Sequence, residues 1–231
     1  MNNVALSVAL ATAPSSAFDE LRERPRFWFP LLLLVAATVG MAFWYYSAVD
    51  IEWFKEAVLS QAPDMLNRPE SERAAAMAMM SRNAFRVGSV VGGVIGLPLV
   101  FLVMALCLLL AAKVTKLTQG FKHWYAFVCW SSLPLLLSYI VGAIFLLMSD
   151  NGQLTPSVLQ PLSLNELVLH RPMGSPGLGL LESLNIPSII SWILMIIGVR
   201  SWSQRSWTFS ALFILVPTAA IYAIWAFFAF R

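Results

Sequence analysis

Long stretches without any ionisable side chain leave this chain few ways to fold. Phe27 to Val49, Val87 to Ala112, Trp124 to Met148 and Trp207 to Phe230 contain no Asp, Glu, Lys or Arg, and Ile186 to Val199 forms a fifth, shorter run. An α-helix needs ~20 apolar residues to cross a ~30 Å hydrocarbon core, and each of the four longer runs meets that length. The chain therefore reads as an all-α, polytopic membrane bundle of five transmembrane helices with interfacial helices. Within one membrane domain, spans are expected at about 27–49, 87–112, 124–148, 184–200 and 207–230. A cytosolic tail and surface helix occupy 1–26, and outer loops occupy 50–86 and 149–183.

Composition agrees. Charged residues are 12% of the chain, about half the share usual in soluble domains. The net charge of +3 is accounted for by cytosolic loops that hold Lys and Arg against anionic headgroups. Nucleic acid is not an expected partner. Cys107 and Cys129 both fall inside predicted spans, without a second Cys or a His at metal-ligand spacing, and read as small apolar packers. Met1 to Ala17 lacks the basic n-region of a secretory signal and reads as a mobile tail. Ser15 or Ser16 can cap a short helix through Phe18 to Arg24, which Pro25 ends. Phe18 and Leu21 share its apolar face, so it is expected along the membrane surface.

Asp50 to Arg86 is a polar excursion with six acidic and five basic residues. Its first part is amphipathic, Gln61-Ala62-Pro63 interrupts it, and Pro69 to Glu72 has the character of a helix start. The run Arg73 to Met80 is strongly helix-forming and is expected to flow straight into span two. Met65, Met77, Met79 and Met80 form a thioether cluster, for which plain packing outweighs soft-metal binding. The loop from Ser149 to Leu184 is rich in Pro and Gly and should be irregular, with short helical turns. Leu178 to Asn185 can re-enter the interface. Short basic loops dominate membrane orientation. Arg22, Arg24 and Arg26, the lysines 113, 116 and 122, and Arg200 with Arg205 share one side when the N-terminus is cytosolic and the C-terminus outside.

The sharpest motif lies in span two. Ala84, Gly88, Gly92 and Gly96 recur every fourth residue, with Ser89 and Gly93 on the adjacent ridge. Small residues at that spacing let two helix backbones approach closely in lipid. The partner can be another span of this chain, a second copy or a different protein; the ordinary needs of a bundle favour internal packing. Pro98 follows and should disturb the helix.

Intramembrane ionisable groups mark transport or catalysis, and this chain has almost none. Glu182 is the one acid near the membrane plane, and a headgroup-level position is the favoured reading. Asn185, Ser188 and Ser191 can extend it into a polar stripe, although polar span residues more often supply interhelical hydrogen bonds. His123 and His170 lie on opposite sides of the membrane in this topology. No Ser–His pair shares a depth in the membrane, and the sequence contains no zinc-protease motif and no phosphate-cradling Gly-rich loop with its Lys. No catalytic residue, metal site or cofactor is expected.

Three segments together resemble the Yip family of Ypt/Rab-interacting-protein-like membrane proteins. They are Pro14 to Pro25 before span one, Phe121 to Phe127 leading into Trp130-Ser131-Ser132-Leu133-Pro134, and Leu181 to Gly198 with its Ser-Trp-Ile core and basic turn. The resemblance runs from about Pro14 to the end and implies five spans with a cytosolic N-terminus. Eukaryotic members carry a longer N-terminus with an Asp-Leu-Tyr-Gly-Pro-like motif that nothing in 1–26 matches, so GTPase binding does not carry over. The short N-terminus resembles the bacterial branch, which implies a bacterial inner membrane; some members are thought to assist ABC-type exporters. The expectation is a non-enzymatic assembly or accessory partner of other membrane proteins, possible ABC exporter components included, or a self-associating one. The alternative is a small transporter, channel or lipid-moving protein.

Overall fold

A computed structural model describes residues 1–60 and 67–231; the Gln61-Ala62-Pro63 interruption and Met65 lie outside the described residues. Among the described residues five helices are long and apolar enough to cross a membrane: Trp28–Ala48, Arg82–Thr115, Phe121–Met148, Ile186–Ser203 and Trp207–Ala229. Among the described residues the remaining structure is short helices and loops, with a single isolated bridge between Ser163 and Asn185.

The N-terminus departs from expectation. Residues 1–17 are not a loose tail: Asn3–Thr12 and Pro14–Glu23 form two consecutive helices. Asn2 caps the first with its side chain, and Pro14 opens the second, so Ser15 and Ser16 lie inside the helix rather than capping it. Leu6, Leu10, Phe18 and Leu21 bury their side chains in the main hydrophobic cluster, against Trp124, Phe127 and Trp202. The apolar face predicted to meet lipid instead meets the end of the bundle.

That cluster holds the N-terminal end of the molecule together. Three indoles inside it each donate to a main-chain carbonyl: Trp202 to Phe18 at 2.7 Å, Trp130 to Arg26 at 2.6 Å and Trp124 to Gln119 at 3.1 Å. A buried ring thereby keeps its polar edge satisfied. Gly198 permits the close crossing of spans three and four, because a Cβ there would lie 2.4 Å from the Phe127 ring. A second cluster, Met41, Tyr45, Val49, Phe54 and Leu146, ties the opposite end of span one to span three and to the loop helix Ile51–Ser60. Tyr45 Oη donates to Leu154 O at 2.7 Å, which anchors the long loop between spans three and four to the same place.

Helix Glu70–Met79 does not flow into span two. The chain breaks at Met80, and Ser81 adopts extended backbone with its Oγ accepting from Ala84 N, which starts a new helix at Arg82. This local side-chain bond offers an alternative to continuing the helix. Span two begins earlier than its uncharged stretch, and Arg82 and Arg86 find partners at the end of span one. Arg82 donates to the carbonyls of Tyr46 and Ser47, and Arg86 donates to Ser47 Oγ with its guanidinium over Phe43. Cations at a helix C-terminus satisfy its free carbonyls and the macrodipole. The disturbance expected at Pro98 takes the form of a π turn over Gly92–Gly96, just before Pro98 near the start of the helix Leu97–Thr115. Pro134 likewise breaks span three into two helices joined by a 3₁₀ turn, Leu133–Leu135.

Candidate functional site

The span-two glycines separate into two faces. Gly93 is buried against span one, where a Cβ would approach Val39 Cγ2 to 2.8 Å and Thr38 Cγ2 to 3.4 Å. Ser89 is partly buried, its Oγ donating to Phe85 O. At Gly88, Gly92 and Gly96 an added Cβ would meet nothing within 4 Å. Ala84 and Gly88 are exposed, and so are Val87, Val91 and Ile95 beside them. The internal packing favoured from the sequence is therefore found at Gly93 and not along the fourth-residue row. That row forms a shallow groove between β-branched side chains, turned away from the chain's own bundle.

The polar stripe also divides. Asn185 caps span four: its Oδ1 accepts from Ser188 N and from Ser188 Oγ, both at 2.8 Å, and its Nδ2 faces Glu182 O and Gln160 Oε1. Ser191 donates to Pro187 O one turn back along the helix. Asn185, Ser188 and Ser191 all line one cavity of about 560 Å³ enclosed by spans two to five. Glu182 faces elsewhere. It lines a separate space of about 340 Å³ in the loop between spans three and four, with Glu166, His170 and Arg171. Burial, and then the charge of Glu166, push the Glu182 carboxyl above its ordinary range. The loop is held in register by Leu164 N to Leu184 O at 2.7 Å and Ile186 N to Leu162 O at 3.0 Å.

The cavity was not visible in the sequence. Its walls come from Leu97, Phe101, Val128 and Met195, which look like ordinary span residues. Part of its lining is Ser132, Ser138 and Tyr139, next to the Pro134 break, and Thr218, next to Pro217 in span five. Among the described residues no three His, Cys, Asp or Glu side chains converge to hold a metal ion.

Comparison with known proteins places this arrangement. The family model described as the Yip1 domain matches residues 8–228. Membrane protein YknW of Bacillus subtilis is 27% identical over 189 residues, covering 82% of this chain and 74% of the relative. No solved structure matches the chain.

Proposed function

The chain belongs to the Yip1 domain family of membrane proteins, and we propose that it acts there as a non-enzymatic partner of other membrane proteins, docking through the outward face of span two. The observation that carries this reading is the open row Gly88, Gly92 and Gly96 flanked by exposed Val87, Val91 and Ile95. Apolar burial supplies no drive between helices in lipid, so association depends on close backbone approach, which such a groove allows. The polar loops outside the spans would add contacts. An ABC-type exporter is the partner that the family resemblance implies, in a bacterial inner membrane with the N-terminus cytosolic. The clustering of basic residues in the tail, the lysine loop and the Arg200–Arg205 turn supports that orientation.

Purification in mild detergent, with identification of co-purifying proteins, tests the reading when wild type is compared with Gly92→Leu. The isolated variant should fold as wild type does, since a side chain at Gly92 starts into open space, with nothing within 4 Å of an added Cβ, while its partners should be lost. Unchanged partners would sink the proposal. A second reading, movement of a lipid or other small molecule, is favoured by the cavity among spans two to five. Flux through proteoliposomes of the lone protein, above that of empty vesicles, would support it.

A further inference from the structure

We propose that the cavity enclosed by spans two to five is a binding site for one membrane phospholipid, whose ester carbonyls accept hydrogen bonds from Ser138 and Gln160 while an acyl chain fills the apolar part. This inference is independent of partner docking at span two. The cavity holds about 560 Å³, within the ~300–1,000 Å³ typical of ligand sites. Leu99, Val100, Val103 and Trp225 line it and are exposed, so it opens sideways into the bilayer between spans two and five. The medium at that opening is lipid.

One end of the cavity is polar, and two donors there are free. Ser138 is 1% exposed and its Oγ has no hydrogen-bond partner among the described residues. Buried hydroxyls are nearly always paired, so an orphan lining a cavity points to a ligand acceptor. Gly142 lies one turn above Ser138, ~6 Å along the helix, and a Cβ there would meet Val158 O of the outer loop at 2.8 Å. The loop thus dips into the bundle close to Ser138 and brings Gln160 to the same end. Gln160 Oε1 faces Asn185 Nδ2 at 3.4 Å, while its Nε2 is unpaired among the described residues. Ser188 and Tyr222 complete this end, and the other end is the wall of Leu97, Phe101, Val128 and Met195.

The chemistry identifies the occupant. An alkyl tail gains nothing by leaving lipid for an equally apolar cavity, so the polar end must supply selectivity. It offers two donors, and a diacyl phospholipid carries two ester carbonyls directly above its chains. No Asp, Glu, Lys, Arg or His lines the cavity among the described residues, so the headgroup charge goes unread.

Phosphatidylglycerol and phosphatidylcholine carrying a diazirine in one acyl chain, incorporated with the full-length protein into liposomes, test this. Crosslinks should concentrate on the Phe101, Val128, Met195 and Thr218 segments and be similar for the two headgroups. Ser138→Ala should lower them about fivefold, and Val100→Trp, at the exposed rim, should lower them by obstructing entry. Labelling spread evenly to outward residues such as Leu110, equal cavity labelling by a diazirine-bearing alkane, or unchanged labelling in Ser138→Ala would each overturn the proposal. Folding of the variants is checked by their thermal midpoints. If Val100→Trp misfolds, the Ser138→Ala comparison still decides.

Discussion

Gly198 carries more structural weight than any glycine of the sequence motif. Its missing Cβ is what lets Phe127 and Phe18 pack over span four, with contacts that a methyl group would reduce to 2.4 and 2.9 Å. Gly198→Ala should destabilise the protein by about 1–3 kcal/mol, as overpacking does in other tight cores, whereas Gly92→Ala should be neutral or slightly stabilising in the isolated chain. Paired thermal unfolding in one detergent separates the two. Glu182 gives a pH-dependent counterpart. Its carboxyl is raised above the ordinary 4.5 by burial and by Glu166. Below about 4.5 it is protonated in folded and unfolded chains alike, so it costs the fold nothing. As pH rises from there through the raised value, the unfolded chain ionises first and the folded loop loses stability, which then levels off. Glu182→Gln should flatten that slope, read as hydrogen exchange of residues 149–185 between about pH 4 and 8.

At the scale of elements, the five spans were legible because a long uncharged run has one stable use in lipid. Their ends were less legible, since caps and clamps decide them. Span two starts at Arg82 although two arginines sit in its first turns, because Tyr46 and Ser47 at the end of span one offer carbonyls that the guanidiniums can reach. Sequence spacing cannot display a partner 36 residues away. Removing Arg82 as Arg82→Ala should cost about 1.5–3 kcal/mol, the range for hydrogen bonds to a charged group, and Arg82→Lys should recover only part of it. Chemical unfolding in mixed micelles would measure both. The break at Ser81 was missed for a related reason: helix propensity over Arg73 to Met80 pointed onward, but one serine hydroxyl was enough to restart the backbone. The N-terminal helices were misplaced because amphipathicity shows that a face will be buried without showing what covers it.

Across the whole molecule, the three segments that carried the family resemblance prove to be the ones that touch. Phe18 of the second N-terminal helix and Phe127 of span three close over Gly198 of span four, and with Trp124 and with Trp202, just beyond the third segment, they form one aromatic cluster, with ring centroids 4.9 to 5.4 Å apart between Phe18 and Phe127, Trp124 and Phe127, Trp124 and Trp202, and Phe127 and Trp202. What looked like separate compositional signals is a single packing unit. The polar stripe divides for the opposite reason, because the loop fold places Glu182 on one space and Asn185, Ser188 and Ser191 on another. Two clusters at opposite ends hold the bundle, and they should differ in reach. Phe18 is fully buried where the second N-terminal helix meets spans three and four, so Phe18→Ala should cost about 3–5 kcal/mol and loosen that end of the bundle. Phe54, at the other end, secures the loop helix against span one, and Phe54→Ala should free that loop while leaving the spans packed. Cys129 reports the difference, because it is fully buried within the first cluster. In a Cys107→Ser background, maleimide labelling of Cys129 should rise strongly in Phe18→Ala and stay near wild type in Phe54→Ala. Equal labelling of the two variants would mean that the clusters are not separate supports but one cooperative core.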